Sequence, residues 1–207
     1  MSTSAFALDR AAAATSVGLL AATTAAWVGL VRYEPPMGLL GFLLGWTLMM
    51  AAMMLPSIAP LALLHRGSRT LLALGYLAIW GAIGLLSFAA MEWDVSPALP
   101  LVLALAGAWE LSPLKHACLR RCRNAAAFLM EHYRSGSLRL GAEHALWCVG
   151  CCVGLMAVLV LAASMSLAWA AVIAGIVVVQ KVLPLGEASA RATGVSLLAA
   201  ALVVAVT

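Results

Sequence analysis

Cys118, Cys122, Cys148, Cys151 and Cys152 are the side chains of this 207-residue sequence best equipped for chemistry, and their spacing sorts them into two groups. On a helix, Cys118 and Cys122 are i,i+4 neighbours on one side, while His144, Cys148 and Cys151, with Cys152 adjoining, stand at i, i+4 and i+7 along one stripe. If the two faces converge, and His116 joins them, they present up to five sulfurs and two imidazoles. That donor set suits Cu(I) or Zn(II). The competing reading is plain packing, because cysteine is a small hydrophobe and neither C-x-x-x-C nor H-x-x-x-C-x-x-C is specific alone.

The methionines add softer donors. Met49, Met50, Met53 and Met54 form two i,i+4 pairs, and thioethers favour Cu(I) without having to lose a proton. Met54 stands just before Pro56, with Pro60 one turn later; proline frees backbone carbonyls, so Met54 to Ser57 reads either as the wall of a site or as flexible filler at a kink. Glu110, near Pro113, is costly in an apolar setting unless paired, and Lys115 is its nearest cation; otherwise it serves as ligand or proton acceptor near Cys118. Lys181 is placed to offset thiolate charge. Gly41 with Gly45, and Gly150 with Gly154, form two G-x-x-x-G faces suited to close helix packing.

These residues need elements to hold them, and composition says which. The chain is 65% hydrophobic and 10% charged, with a mean hydropathy of +1.06. A soluble domain of this size has too little interior for so much apolar surface, so the expected partner is a lipid bilayer. At about 20 residues per crossing the length accommodates six or seven spans. The apolar windows lie at 11–31, 37–64, 70–91, 97–113, 143–164, 166–183 and 190–206, giving an all-α polytopic transmembrane helical bundle that forms one domain over 1–207. The net charge of +4 reads as topology rather than nucleic-acid binding. With the N-terminus cytoplasmic and the C-terminus periplasmic, eleven of the twelve Lys and Arg fall inside: Arg10, Arg66, Arg69, Lys115, Arg120, Arg121, Arg123, Arg134, Arg139, Lys181 and Arg191. Arg32 beside Glu34 is the exception, and the second outer turn is acidic, with Glu92 and Asp94.

The run 145–182 is too long for one crossing: its 38 residues would measure about 57 Å against a core of about 30 Å. An outer hairpin is expected at Ser164-Met165-Ser166. The N-terminal stretch reads as a retained span rather than a removed signal, because its apolar segment runs to Val31. In the cytoplasmic loop 114–140, the segment 114–133 lacks Pro and Gly and predicts one amphipathic helix on the membrane surface; Arg134 to Ser137 turns the chain back. Motifs for nucleotide hydrolysis, serine hydrolysis and zinc proteolysis are missing, so the chain offers ligands rather than a catalytic apparatus.

Three blocks then carry a resemblance: Gly45 through Met49, Met50, Met53 and Met54 to Ser57; Leu111-Ser-Pro-Leu-Lys-His-Ala-Cys118 on to Cys122; and Cys148-Val-Gly-Cys-Cys152 with Leu155-Met156. In this order they resemble the bacterial predicted metal-binding integral membrane proteins, domain-of-unknown-function family 2182, over roughly 38–186. The resemblance implies an inner-membrane protein with a metal role on Met49, Met50, Met53, Met54, Lys115, Cys118, Cys122, Cys148, Cys151 and Cys152. It implies no reaction. The sequence departs from the family pattern at Gln180-Lys181, where Glu-Lys is expected, at Trp109-Glu110, where an aromatic-Gln pair is expected, and at Met165-Ser166 in place of Met-Asn. A carboxylate has changed places between 180 and 110, which preserves a buried acid only if the two positions face each other. The leading expectation is a membrane protein that binds copper, ahead of zinc, for delivery or transport, working with a metallochaperone. The alternative is a small accessory or assembly subunit of a larger membrane complex, with structural cysteines.

Overall fold

The computed structural model describes residues 2–32, 38–91, 98–162 and 166–206. Among them are nine α-helices and no strand: α1 (Ser2–Arg32), α2 (Leu39–Leu64), α3 (Arg69–Met91), α4 (Leu99–Leu111), α5 (Pro113–Arg123), α6 (Ala125–Glu131), α7 (Ser137–Ala157), α8 (Leu167–Val182) and α9 (Gly186–Val206). A π-helical turn, Val158–Ala162, extends α7. The all-helical expectation is met. Residues Glu34, Glu92, Asp94 and most of the expected hairpin, Ser164 and Met165, lie outside the described residues.

Five of these helices, not seven, are long and apolar enough to cross a bilayer: 12–32 of α1, α2, 69–90 of α3, α7 with its π turn, and α9. The other two apolar elements are shorter. At 1.5 Å per residue, the 13 residues of α4 and the 16 of α8 measure about 20 and 24 Å. The reason is local for α4. Pro113 holds Ser112 extended (φ −70°, ψ 145°) and so ends the helix, and the Ser112 side chain then accepts from Lys115 N at 3.1 Å to start α5.

The expected surface helix over 114–133 is also corrected. It is two helices, broken at Asn124 (φ −94°, ψ 68°), whose side chain accepts from Ala127 N and caps α6. Nor does α5 lie flat on an exterior. Lys115, His116, Cys118, Leu119 and Cys122 are buried against α7 and α8 while Arg120 points outward, and Arg123 Nη1 donates to the Gln180 carbonyl at 3.0 Å.

The core forms where α2, α3, α5, α7 and α8 meet, and it holds Trp46, Tyr76, Trp80, the four α2 methionines and the cysteines. Trp46 Nε1 donates to the Trp80 carbonyl at 2.7 Å, fixing α2 to α3. Close approach needs glycine at two crossings. A methyl on Gly75 of α3 would strike the Leu138 carbonyl and one on Gly141 of α7 the Leu72 carbonyl; Gly107 and Gly194 bring α4 and α9 together in the same way. The expected Gly150–Gly154 face is used inside this chain, meeting Cys118 and Trp109.

Candidate metal centre

α7 begins at Ser137, earlier than the expected 143, so Cys148 lies eleven residues, about 17 Å, along it. On α2, Met53 lies eleven residues before Leu64. Those two helix ends adjoin, because His65 Nε2 and Ser137 Oγ are 2.8 Å apart. Cys148 and Met53 therefore lie about three turns inside the adjoining ends of α7 and α2, at the level where α5 and α8 end.

At that level the Sγ atoms of Cys148, Cys151 and Cys152 all lie within 4.8 Å of one another, and all three residues are buried. Among the described residues this is the group of His, Cys, Asp or Glu close enough to share one ion. Helical spacing explains it: 148, 151 and 152 are i, i+3 and i+4, so one turn of α7 points its sulfurs to one side. From α5, Cys122 Sγ comes to 3.7 Å from Cys151 Sγ, so the two sulfur-bearing faces meet. Cys118 packs over Gly150, and burial pushes its thiol up from the usual range.

Cys148 is also the end of a polar chain. Lys181 Nζ, on the last turn of α8, donates to its sulfur at 2.7 Å, and the Tyr76 hydroxyl lies 2.8 Å away. Tyr76 is 3.1 Å from Ser57 Oγ, which itself donates to the Met54 carbonyl at 2.7 Å. The hydroxyl proton of Ser57 is thus committed beside Pro56, inside a stretch where proline disturbs the backbone ladder. Lys181 supplies positive charge to a set of sulfurs that become anionic as ligands. Ser57 closes the Met54 to Ser57 stretch read from sequence as a site wall, whereas Tyr76 was not among the residues singled out. The signal for Tyr76 was a tyrosine in the middle of an apolar span, where its hydroxyl must find a partner.

A second polar cluster touches the first through adjacent residues of α8. Lys115 Nζ pairs with Glu110 Oε1 and donates to Gln180 Oε1 at 2.8 Å, while Gln180 Nε2 donates to Glu110 Oε2 at 3.0 Å. Positions 110 and 180 do face each other. Because Glu110 and Gln180 sit one and two residues from the ends of α4 and α8, those helices stop at one level, with α5 tucked against them.

The two sequence-selected histidines lie outside the three-sulfur group. His144 meets Phe128 edge to face and lies tilted beside Tyr76, at 5.2 and 6.1 Å between ring centroids, and His116 sits on α5. Both are buried, and Nδ1 of each has no hydrogen-bond partner among the described residues. Met49, Met50, Met53 and Met54 are at most 3% exposed and belong to the same core as the cysteines.

The helical bundle thus gathers a buried cluster of thiols, a cation against one sulfur and thioethers in the same core, the donor types that a soft metal prefers. A family model described as PpoB2, copper chaperone, matches residues 43–204, and the chain belongs to that family. No curated protein and no solved structure matches it.

Proposed function

We propose that this protein holds Cu(I) as cargo inside a membrane and passes it on to an acceptor protein. The reading rests on one observation above all, the three buried sulfurs of Cys148, Cys151 and Cys152 within 4.8 Å of one another. Two or three thiolates at about 2.3 Å from the ion provide the affinity, and Lys181 offsets their charge. Cys122 borders the group, with Cys118, His116 and His144 as outlying donors. Met49, Met50, Met53 and Met54 form a weaker thioether station in the same core, and neighbouring sites of graded strength let an ion leave. Lys115 and Glu110 position α5 and α8 around it.

In this reading the protein is a multi-pass bacterial inner-membrane protein. The five long helices cross, and the shorter α4 and α8 complete seven crossings with the N-terminus cytoplasmic, as the distribution of Lys and Arg supports. A metallochaperone or a larger membrane complex is the partner. The test is copper content after purification from copper-supplemented cells. Wild type is expected to retain copper, and the Cys148→Ser, Cys151→Ser, Cys152→Ser triple variant to lose it. Equal copper in both overturns the proposal.

A further inference from the structure

Simple storage of an ion leaves one feature of the thiol layer unused. Cys122 of α5 and Cys151 of α7 are 29 positions apart in sequence, yet their sulfurs are 3.7 Å apart. Cys152 Sγ is equally near to Cys151 Sγ, but the two are chain neighbours. Adjacent Cα atoms stand about 3.8 Å apart, short of the roughly 4.4–6.8 Å that a disulfide spans. Cys148 is engaged by Lys181 and Tyr76. Cys122 is therefore the partner with which Cys151 can bond. Closing their gap to the ordinary S–S length of about 2.05 Å moves each sulfur by less than about 1 Å.

The surroundings indicate which oxidant suits such a pair. Cu(II) prefers nitrogen and oxygen donors in tetragonal arrays, whereas Cu(I) is selected by thiolates and thioethers. The layer around Cys151 offers the sulfurs of Cys148 and Cys152, with the four buried methionines in the same core. The reduced ion fits this environment and the oxidised one does not, so the environment itself favours transfer of an electron to copper.

We propose that Cys122 and Cys151 form a two-electron dithiol that reduces Cu(II) to Cu(I) as copper enters the site. The two thiols lose two electrons and two protons, and one S–S bond forms between them. Each of two Cu(II) ions takes one electron, and both protons pass to solvent. This rests on the reading that the site takes copper, and it adds an activity to that reading.

The experiment uses the full chain, reduced, freed of reductant and placed anaerobically in lipid nanodiscs. Cu(II) is titrated in and followed by its paramagnetic resonance, and the cysteine linkages are mapped by mass spectrometry without reduction. Wild type is expected to silence about two Cu(II) per chain and to yield a Cys122–Cys151 disulfide. Cys122→Ser is expected to reduce Cu(II) at least tenfold more slowly while separately supplied Cu(I) is still held at Cys148, Cys151 and Cys152. Cys118→Ser is expected to silence Cu(II) as fast as wild type and to yield the same disulfide. A persistent Cu(II) signal with normal Cu(I) binding, a disulfide at other cysteines, or a Cys122→Ser variant as fast as wild type overturns the inference. Loss of Cu(I) binding with Cu(II) still silenced and the disulfide formed would overturn the storage reading and leave the reductant standing.

Discussion

Gln180 Nε2 on α8 donates to Glu110 Oε2 on α4 at 3.0 Å, with Lys115 Nζ bound to both side chains from α5. Three helices are thus joined through one buried ion pair and one amide. Removing the charge of one member leaves the other buried and uncompensated, a loss of about 3–5 kcal/mol. Glu110→Gln is expected to lower the melting temperature in detergent strongly. Adding Gln180→Glu returns a carboxylate to the same cluster, so the double variant is expected to recover most of the loss. Melting curves of the two singles and the double check this; additive losses would show that the positions act independently.

Lys181 is the one cation whose nitrogen donates to a cysteine sulfur among the described hydrogen bonds. Lys181→Gln keeps a donor of shorter reach but removes the charge that offsets the thiolates. Groups of this kind beside a metal ligand are worth roughly 10- to 100-fold in affinity. Competition against a Cu(I) chelator is expected to show weakening of that order for Lys181→Gln and a smaller effect for Tyr76→Phe. An unchanged Cu(I) affinity in Lys181→Gln would leave that cation a purely structural role.

The sulfur faces were legible in the sequence because they depend only on helical spacing: 118 with 122, and 148 with 151 and 152, share faces in any α-helix. That α5 and α7 meet at Cys122 and Cys151 depends on tertiary packing, which spacing does not encode. The charged run from Lys115 to Arg123 looks like a solvated surface in sequence, yet its face at 115, 118, 119 and 122 is buried because Pro113 turns α5 inward against α7 and α8. Asn124 was similarly hidden. Its capping of α6 breaks what looked like one amphipathic helix.

The close crossing of α3 and α7 gives a prediction whose sign changes with position. A methyl on Gly75 meets the Leu138 carbonyl and one on Gly141 the Leu72 carbonyl, backbone atoms that cannot give way without moving a helix. Gly75→Ala and Gly141→Ala are each expected to cost about 1–3 kcal/mol of stability. Gly81, also on α3, has nothing within 4 Å of such a methyl. Gly81→Ala is expected to be stabilising by up to about 1 kcal/mol, since alanine is the better helix former. Thermal denaturation of the three variants in one detergent gives the comparison, and a stable Gly75→Ala would contradict the packing described for this crossing.

The corner where α2 ends and α7 begins supplies a pH dependence. His65 Nε2 is 2.8 Å from Ser137 Oγ, and its pKa is lowered from 6.5, first by burial and then by the nearby Arg69. The folded protein therefore disfavours the protonated ring. As pH falls through about 6.5 the unfolded chain takes up this proton before the folded one does, so stability declines with acidification until the folded His65 titrates as well. His65→Gln keeps a polar partner for Ser137 and removes the titration. The difference in melting temperature between pH 8 and pH 5.5 is therefore expected to be smaller in His65→Gln than in wild type. Equal differences in the two proteins would show that this corner does not contribute to acid sensitivity.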